Sequence, residues 1–162
     1  MSQPSDVTAL ASAPAYNTRS HGEGPSTSAS SATGALVARM ETILETVAHA
    51  LSEGRELRLG LMARRGRPGR GGGGFRMQEV RFPGRSFPES QKFARLLLII
   101  QLSHDALVSG TVLTKRHIYY QHQELFERQR VVDELVDDLA ATLAVQRDDL
   151  NIVRQPPKPK AP

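Results

Sequence analysis

One stretch constrains the fold more than any other. Between Ser86 and Gly110, Phe93, Leu96, Leu97, Ile100 and Leu107 recur at helical spacing on one face, and Ile99 and Leu102 widen the stripe. A helix with so broad an apolar face has to be covered by other elements, so this segment is predicted to be the most buried helix of the chain. Ser86-Phe87-Pro88-Glu89 fits a capping box, with Ser86 as N-cap, Glu89 reaching back and Pro88 tolerated in the first turn. Gly110 supplies the stop. The central apolar run, Leu96 to Ile100, is far shorter than the roughly 20 residues a bilayer span needs, so no membrane crossing is expected.

Two further helices follow at short intervals. Thr114 is a plausible cap for one through Tyr120, and another runs from about Glu127 to Ala144 with Val132, Leu135, Val136, Leu139 and Leu143 inward. Three helices joined by short turns predict a helix-turn-helix or winged-helix core over residues 86–153. Upstream, Leu36, Met40, Ile43, Leu44, Val47 and Leu51 form one stripe of a helix over 35–54. No large apolar segment lies beside it in sequence, so the stripe is read as a partner-binding face, against the plainer reading of a core helix.

Leu57 to Met62 reads as a strand through Leu57, Leu59 and Leu61, and Phe75 to Phe82 as a second through Phe75, Met77, Val80 and Phe82, within a 55–85 unit. Arg64 to Gly74 between them is a flexible Arg/Gly loop, either a phosphate-following segment or a solvated hairpin insertion. The Ser/Ala-rich residues 1–34 and Pro-rich 154–162 are too poor in large apolar side chains to repay ordering and are expected to be disordered tails. The fold class is therefore mainly α with short strands. A formal net charge of +4 suits a polyanionic partner, and the absence of cysteine excludes a disulfide scaffold or a thiolate zinc site.

The chemistry concentrates in Thr114-Lys115-Arg116-His117-Ile118-Tyr119-Tyr120. At 100° per residue Tyr120 points nearly opposite Ile118, Tyr119 leans toward Phe126, and Arg116 lies four residues before Tyr120 on the same outward face. A phenolic oxygen can attack phosphorus, and an Arg fork can hold the nonbridging oxygens. With a reference pKa of about 10, a phenol needs a base, a metal or nearby positive charge to do so. On residue pattern alone, two tyrosines beside basic residues are more often packing aromatics next to a DNA-contact face than a nucleophile site. Asp133, Asp137 and Asp138 are read as a solvated helix face rather than a metal site, and the GRGGGG run lacks the Lys-Ser/Thr of a nucleotide loop.

Residues 114–153 resemble the signature region of the meiotic DNA double-strand-break transesterases and the A subunits of topoisomerase VI. The matching features are the Thr-Lys-Arg start, Ile118-Tyr119-Tyr120, Leu125-Phe126, Gln129, Val132-Asp133, Val136-Asp137-Asp138-Leu139 and Arg147 to Asn151. The resemblance implies a catabolite-activator-like winged helix, with Tyr120 as the nucleophile that becomes joined to a 5′ phosphate and Arg116 as the catalytic basic residue that precedes it. It implies double-stranded DNA as partner, held by Lys115, Arg116 and Arg147, a topoisomerase VI B-like subunit docked on 35–54, a homodimer, and a nuclear, chromosomal location. His117 stands where family members usually carry Asp. The family continues into a Toprim domain that binds Mg2+. Here a Pro-rich tail follows Val153, so the expectation is a truncated form with no metal site of its own, inactive alone. The alternative is a noncatalytic winged-helix DNA-binding module.

Overall fold

The computed structural model describes residues 5–7, 25–64 and 74–154, with side chains over 30–64 and 74–154. The expected Arg/Gly loop, the Pro-rich tail and most of the N-terminal tail lie outside the described residues.

The first helix, α1 (Pro25–Ser52), begins well before Ala35, so part of the segment expected to be tail is helical. Strand β1 (Ser5–Val7) also falls in that segment. Leu36, Met40, Ile43, Val47 and Ala50 of α1 are all buried. This corrects the expectation of a partner-binding stripe: the apolar face of α1 lies against helix α2 (Phe87–Ser109) and strand β2 (Leu57–Arg64) of the same chain. The cover for the stripe is remote in sequence but adjacent in space, and α2 needs it, because one apolar face of α2 is too broad for a single neighbour. Gly54, at φ +63, turns the chain out of α1, and the Arg55 amide donates to Ala50 O at 2.9 Å.

Strands β2 and β3 (Phe75–Phe82) pair antiparallel with Leu59 opposite Val80. Leu57, Leu59, Leu61 and Val80 face the core. Phe75 and Met77, expected on the same face as Val80 and Phe82, are turned to the other side and each is 44 % exposed. Strand parity forces this, since residues an odd number apart point to opposite faces. Strand β1 pairs parallel with β2 over Leu57 to Leu59. Further along β2, the amides of Met62 and Arg64 donate to Thr142 Oγ1 at 2.8 Å and Asp138 Oδ1 at 3.1 Å, so side chains of α5 (Gln129–Thr142) complete what a strand would otherwise supply.

Helix α2 buries Phe93, Leu96, Ile99, Ile100, Ser103 and Ala106, and ends at Gly110 with φ +67. Its entry differs from a capping box. Ser86 is extended and makes no side-chain cap bond; its carbonyl accepts from the Glu89 and Ser90 amides at 3.1 and 3.2 Å. Glu89 instead takes the Arg85 amide at 2.8 Å, and Ser90 Oγ takes that of Gly84 at 2.9 Å. The side-chain acceptors thus serve the chain just outside the helix.

After β4 (Leu113–Thr114) come α3 (Lys115–Gln121), α4 (Gln123–Phe126), α5, a 3-10 turn over Asp148–Leu150 and β5 (Ile152–Val153), which pairs parallel with β4. Ile118, Phe126, Val132, Leu135, Val136, Leu139, Leu143, Leu150 and Ile152 complete the core. The described chain is mainly α with short strands. Inside it, burial pushes the Asp138 carboxyl up and the Lys92 ammonium down from their ordinary values, partly offset by the attraction between them.

Candidate active site

Helix α3 starts where the sequence places it. Thr114 is extended, and its Oγ1 accepts the His117 amide at 3.1 Å, which fixes the first turn. From there helical rotation does the rest. Ile118 is buried, Tyr119 is half-buried against the core, and Tyr120 is 53 % exposed. The Arg116 guanidinium donates to Tyr120 Oη from Nε at 3.1 Å and from Nη2 at 2.9 Å. Its carbon also lies 5.4 Å from the Tyr120 ring centre. The two tyrosine rings sit 5.6 Å apart at 46°. Arg116 and Tyr120 are therefore brought together on an open surface, and Tyr119 is set apart from them by its packing.

Lys115 is not part of that surface. It is 7 % exposed, and its ammonium reaches Asp137 at 3.2 Å and Asp133 at 3.8 Å. This corrects the expectation of a phosphate contact, because a buried ammonium held by carboxylates has no open face for DNA. The sequence contained the signal: Lys115 lies three residues before the buried Ile118, on the same side of α3. Arg147 is exposed and pairs with the same Asp137, at 3.1 Å, so it is tied to α5 rather than to Tyr120.

Of the three aspartates expected on a solvated face, Asp133 is exposed, whereas Asp137 and Asp138 are not. Asp137 joins Lys115 to Arg147, and Asp138 is buried against β2, where it accepts the Arg64 amide. Asp133 and Asp137 both reach Lys115, and Asp138 turns to the other side, to β2. Among the described residues no three His, Cys, Asp or Glu side chains come together as metal ligands, so a magnesium ion does not fit this part of the chain.

A support that sequence reasoning missed lies behind the tyrosine helix. Arg95 of α2 donates from Nε to Leu125 O at 2.6 Å and pairs with Glu127 at 2.8 Å, while Gln91 donates to Glu127 at 2.9 Å. Glu127 adopts φ +59, and this clasp holds the turn between α4 and α5 that fixes the exit from α3. No local pattern in the sequence points to it.

The family profile described as type IIB DNA topoisomerase matches residues 91–152, the interval that contains Lys115, Arg116, Tyr120, Asp137 and Arg147. Over that interval the chain is similar to the type IIB DNA topoisomerase family. Meiotic recombination protein rec12 of Schizosaccharomyces pombe is 46 % identical over 68 residues, which make up 41 % of this chain and 20 % of that protein. Meiotic recombination protein SPO11 of Homo sapiens is 39 % identical over 64 residues, 40 % of this chain and 16 % of that protein. Meiotic recombination protein SPO11-1 of Arabidopsis thaliana is 29 % identical over 76 residues, 47 % of this chain and 21 % of that protein. The match thus spans about a fifth or less of these relatives. Helix α1 and the β2–β3 hairpin lie outside the profile, whereas every member of the Arg116–Tyr120 and Lys115–Asp137–Arg147 groups lies within it.

Proposed function

We propose that this chain is the DNA-binding, tyrosine-bearing portion of a topoisomerase VI A-like protein that makes meiotic double-strand breaks, with Tyr120 as nucleophile and Arg116 beside it. The observation that carries the reading is the exposed Tyr120 hydroxyl held by both the Nε and Nη2 of Arg116 on one face of α3. In the reaction the phenol oxygen bonds to the DNA phosphorus, the bond to the 3′ oxygen breaks, and the proton passes to that leaving oxygen, leaving a 5′-phosphotyrosyl link. The Arg116 donors that reach the phenol oxygen lie within reach of the nonbridging oxygens once phosphorus arrives there.

The winged-helix reading is supported by α2, α3 and α5 in short succession and by the β4–β5 ladder that ties their two ends. DNA then meets Arg116 and Arg147, with Lys115 as internal support. Magnesium belongs to another part of the assembly, since the aspartates of this chain are committed elsewhere, and in a homodimer of the full-length family the tyrosine of one subunit would meet a metal held by the Toprim domain of the other. A B-like subunit that docks on α1 meets its outward side, not the buried stripe of Met40 and Ile43.

The test is a trapping assay with magnesium, DNA and a partner subunit that supplies the metal-binding domain. Covalent protein–DNA adducts are expected with the parent chain and with Tyr119→Phe, and none with Tyr120→Phe. Adducts that persist in Tyr120→Phe, or that disappear only in Tyr119→Phe, remove Tyr120 from the mechanism. DNA binding without adducts in the parent chain favours the noncatalytic module.

A further inference from the structure

A second feature lies away from Tyr120. At the end of the β2–β3 hairpin where Arg64 pairs with Phe75, near the C-terminal end of α5, a groove of about 600 Å³ is lined by Arg64, Phe75, Val145, Gln146 and Arg147, together with Asp137 and Asp148. Its size falls in the range of roughly 300–1,000 Å³ typical of small-ligand sites. Phe75 is directly cross-strand from Arg64 and 44 % exposed. Among the described residues it stacks on no other ring. Arg147 touches Asp137 through Nε with 58 % of its side chain exposed, so the carboxylate it faces is already shared with Lys115.

We propose that this groove takes an unpaired nucleotide of a DNA strand, with the base stacked on Phe75 and the flanking phosphates on Arg64 and Arg147. An exposed aromatic ring that lines a groove together with two guanidinium groups is the combination that single-strand binding uses: the ring accepts any base face and the cations follow the backbone. Arg64 and Arg147 bring two guanidinium groups to the groove against Asp137 and Asp148, and the Asp137 carboxylate is shared by Arg147 and Lys115. A duplex keeps its bases stacked on one another and leaves Phe75 unused. An acidic peptide satisfies the arginines and likewise leaves the ring idle. The proposal rests on the reading of the chain as DNA-binding, and Asp137 connects the groove, through Lys115, to the first turn of the tyrosine helix.

The experiment uses the full chain and fluorescence anisotropy with labelled oligo(dT), a hairpin duplex and polyglutamate. Phe75→Leu is expected to weaken oligo(dT) binding about five-fold or more and leave duplex binding unchanged, while Phe75→Trp retains both. Arg64→Gln is expected to weaken oligo(dT) binding and flatten its salt dependence by about 0.7 in the log–log slope. The chain has no tryptophan, so Phe75→Trp is also a unique reporter, and its emission is expected to be quenched as oligo(dT) binds. Unchanged emission, an indifferent Phe75→Leu, or polyglutamate binding as tightly as oligo(dT) overturns the groove. Duplex binding with a silent Phe75→Trp overturns the groove alone; binding to neither DNA also overturns the DNA-binding reading beneath it. Should Phe75→Leu fail to fold, the Phe75→Trp emission decides by itself.

Discussion

Lys115 and Arg116 are adjacent in sequence and opposite in role. Helical rotation turns Arg116 out to Tyr120 and Lys115 in to Asp137 and Asp133. A nearly buried ammonium is tolerable only while its carboxylate is present, so the two ends of the Lys115–Asp137 pair are not equivalent. Asp137→Ala leaves Lys115 with only the more distant Asp133 and is expected to cost about 3 kcal/mol of stability. Lys115→Met keeps the apolar stem and leaves Asp137 paired with Arg147, so a loss nearer to about 1 kcal/mol is expected. Urea unfolding of the two variants checks this. Equal losses would mean that Arg147 does not stabilise Asp137.

At the scale of elements, the joint between α1 and α2 holds a titratable tie. His104 of α2 is half-buried, and its ring nitrogens lie 3.2 Å from Asp105 of the same helix and 3.2 Å from Glu41 of α1. Hydrogen bonds to Asp105 and then Glu41 hold its pKa above the ordinary 6.5. A raised folded value means that the tie is fully present below about pH 6.5 and is lost as pH rises through the folded value. The urea midpoint of the parent chain is therefore expected to fall across that window, and His104→Gln to flatten the fall. An identical pH slope in the variant would place the titration elsewhere. Most elements were legible in the sequence because their signals are local: the periodic stripes of α2 and α5, the alternation of β2, the Thr114 cap and the four-residue spacing of Arg116 and Tyr120. What was not legible depends on segments distant in the chain. The cover over Met40 and Ile43 comes from α2 and β2, Lys115 meets Asp137 on another helix, and Arg95 reaches a carbonyl, Leu125 O, that no sequence pattern marks.

In the molecule as a whole, α5 is the element through which the parts are joined. One side pairs with α3 through Asp137, another fills the core with Val132, Val136 and Leu139, and a third closes β2 through Asp138 and Thr142. The family profile runs from Gln91 in α2 to Ile152 in β5 and leaves the hairpin and α1 outside, yet the hairpin is bonded through β2 to the same helix that supports the tyrosine. Thr142 is where that union is most exposed to test, because its hydroxyl accepts the Met62 amide at 2.8 Å and donates to Asp138 O at 2.6 Å. Thr142→Val keeps the shape and leaves a Met62 amide without its partner, a loss of about 1–3 kcal/mol. If hairpin and tyrosine helix form one cooperative unit, slow amide exchange at Leu61 and at Ile118 should accelerate by the same factor, about ten-fold for each 1.4 kcal/mol lost. Acceleration confined to the hairpin would show that the tyrosine helix is stable without it, and that α5 joins two independently opening parts.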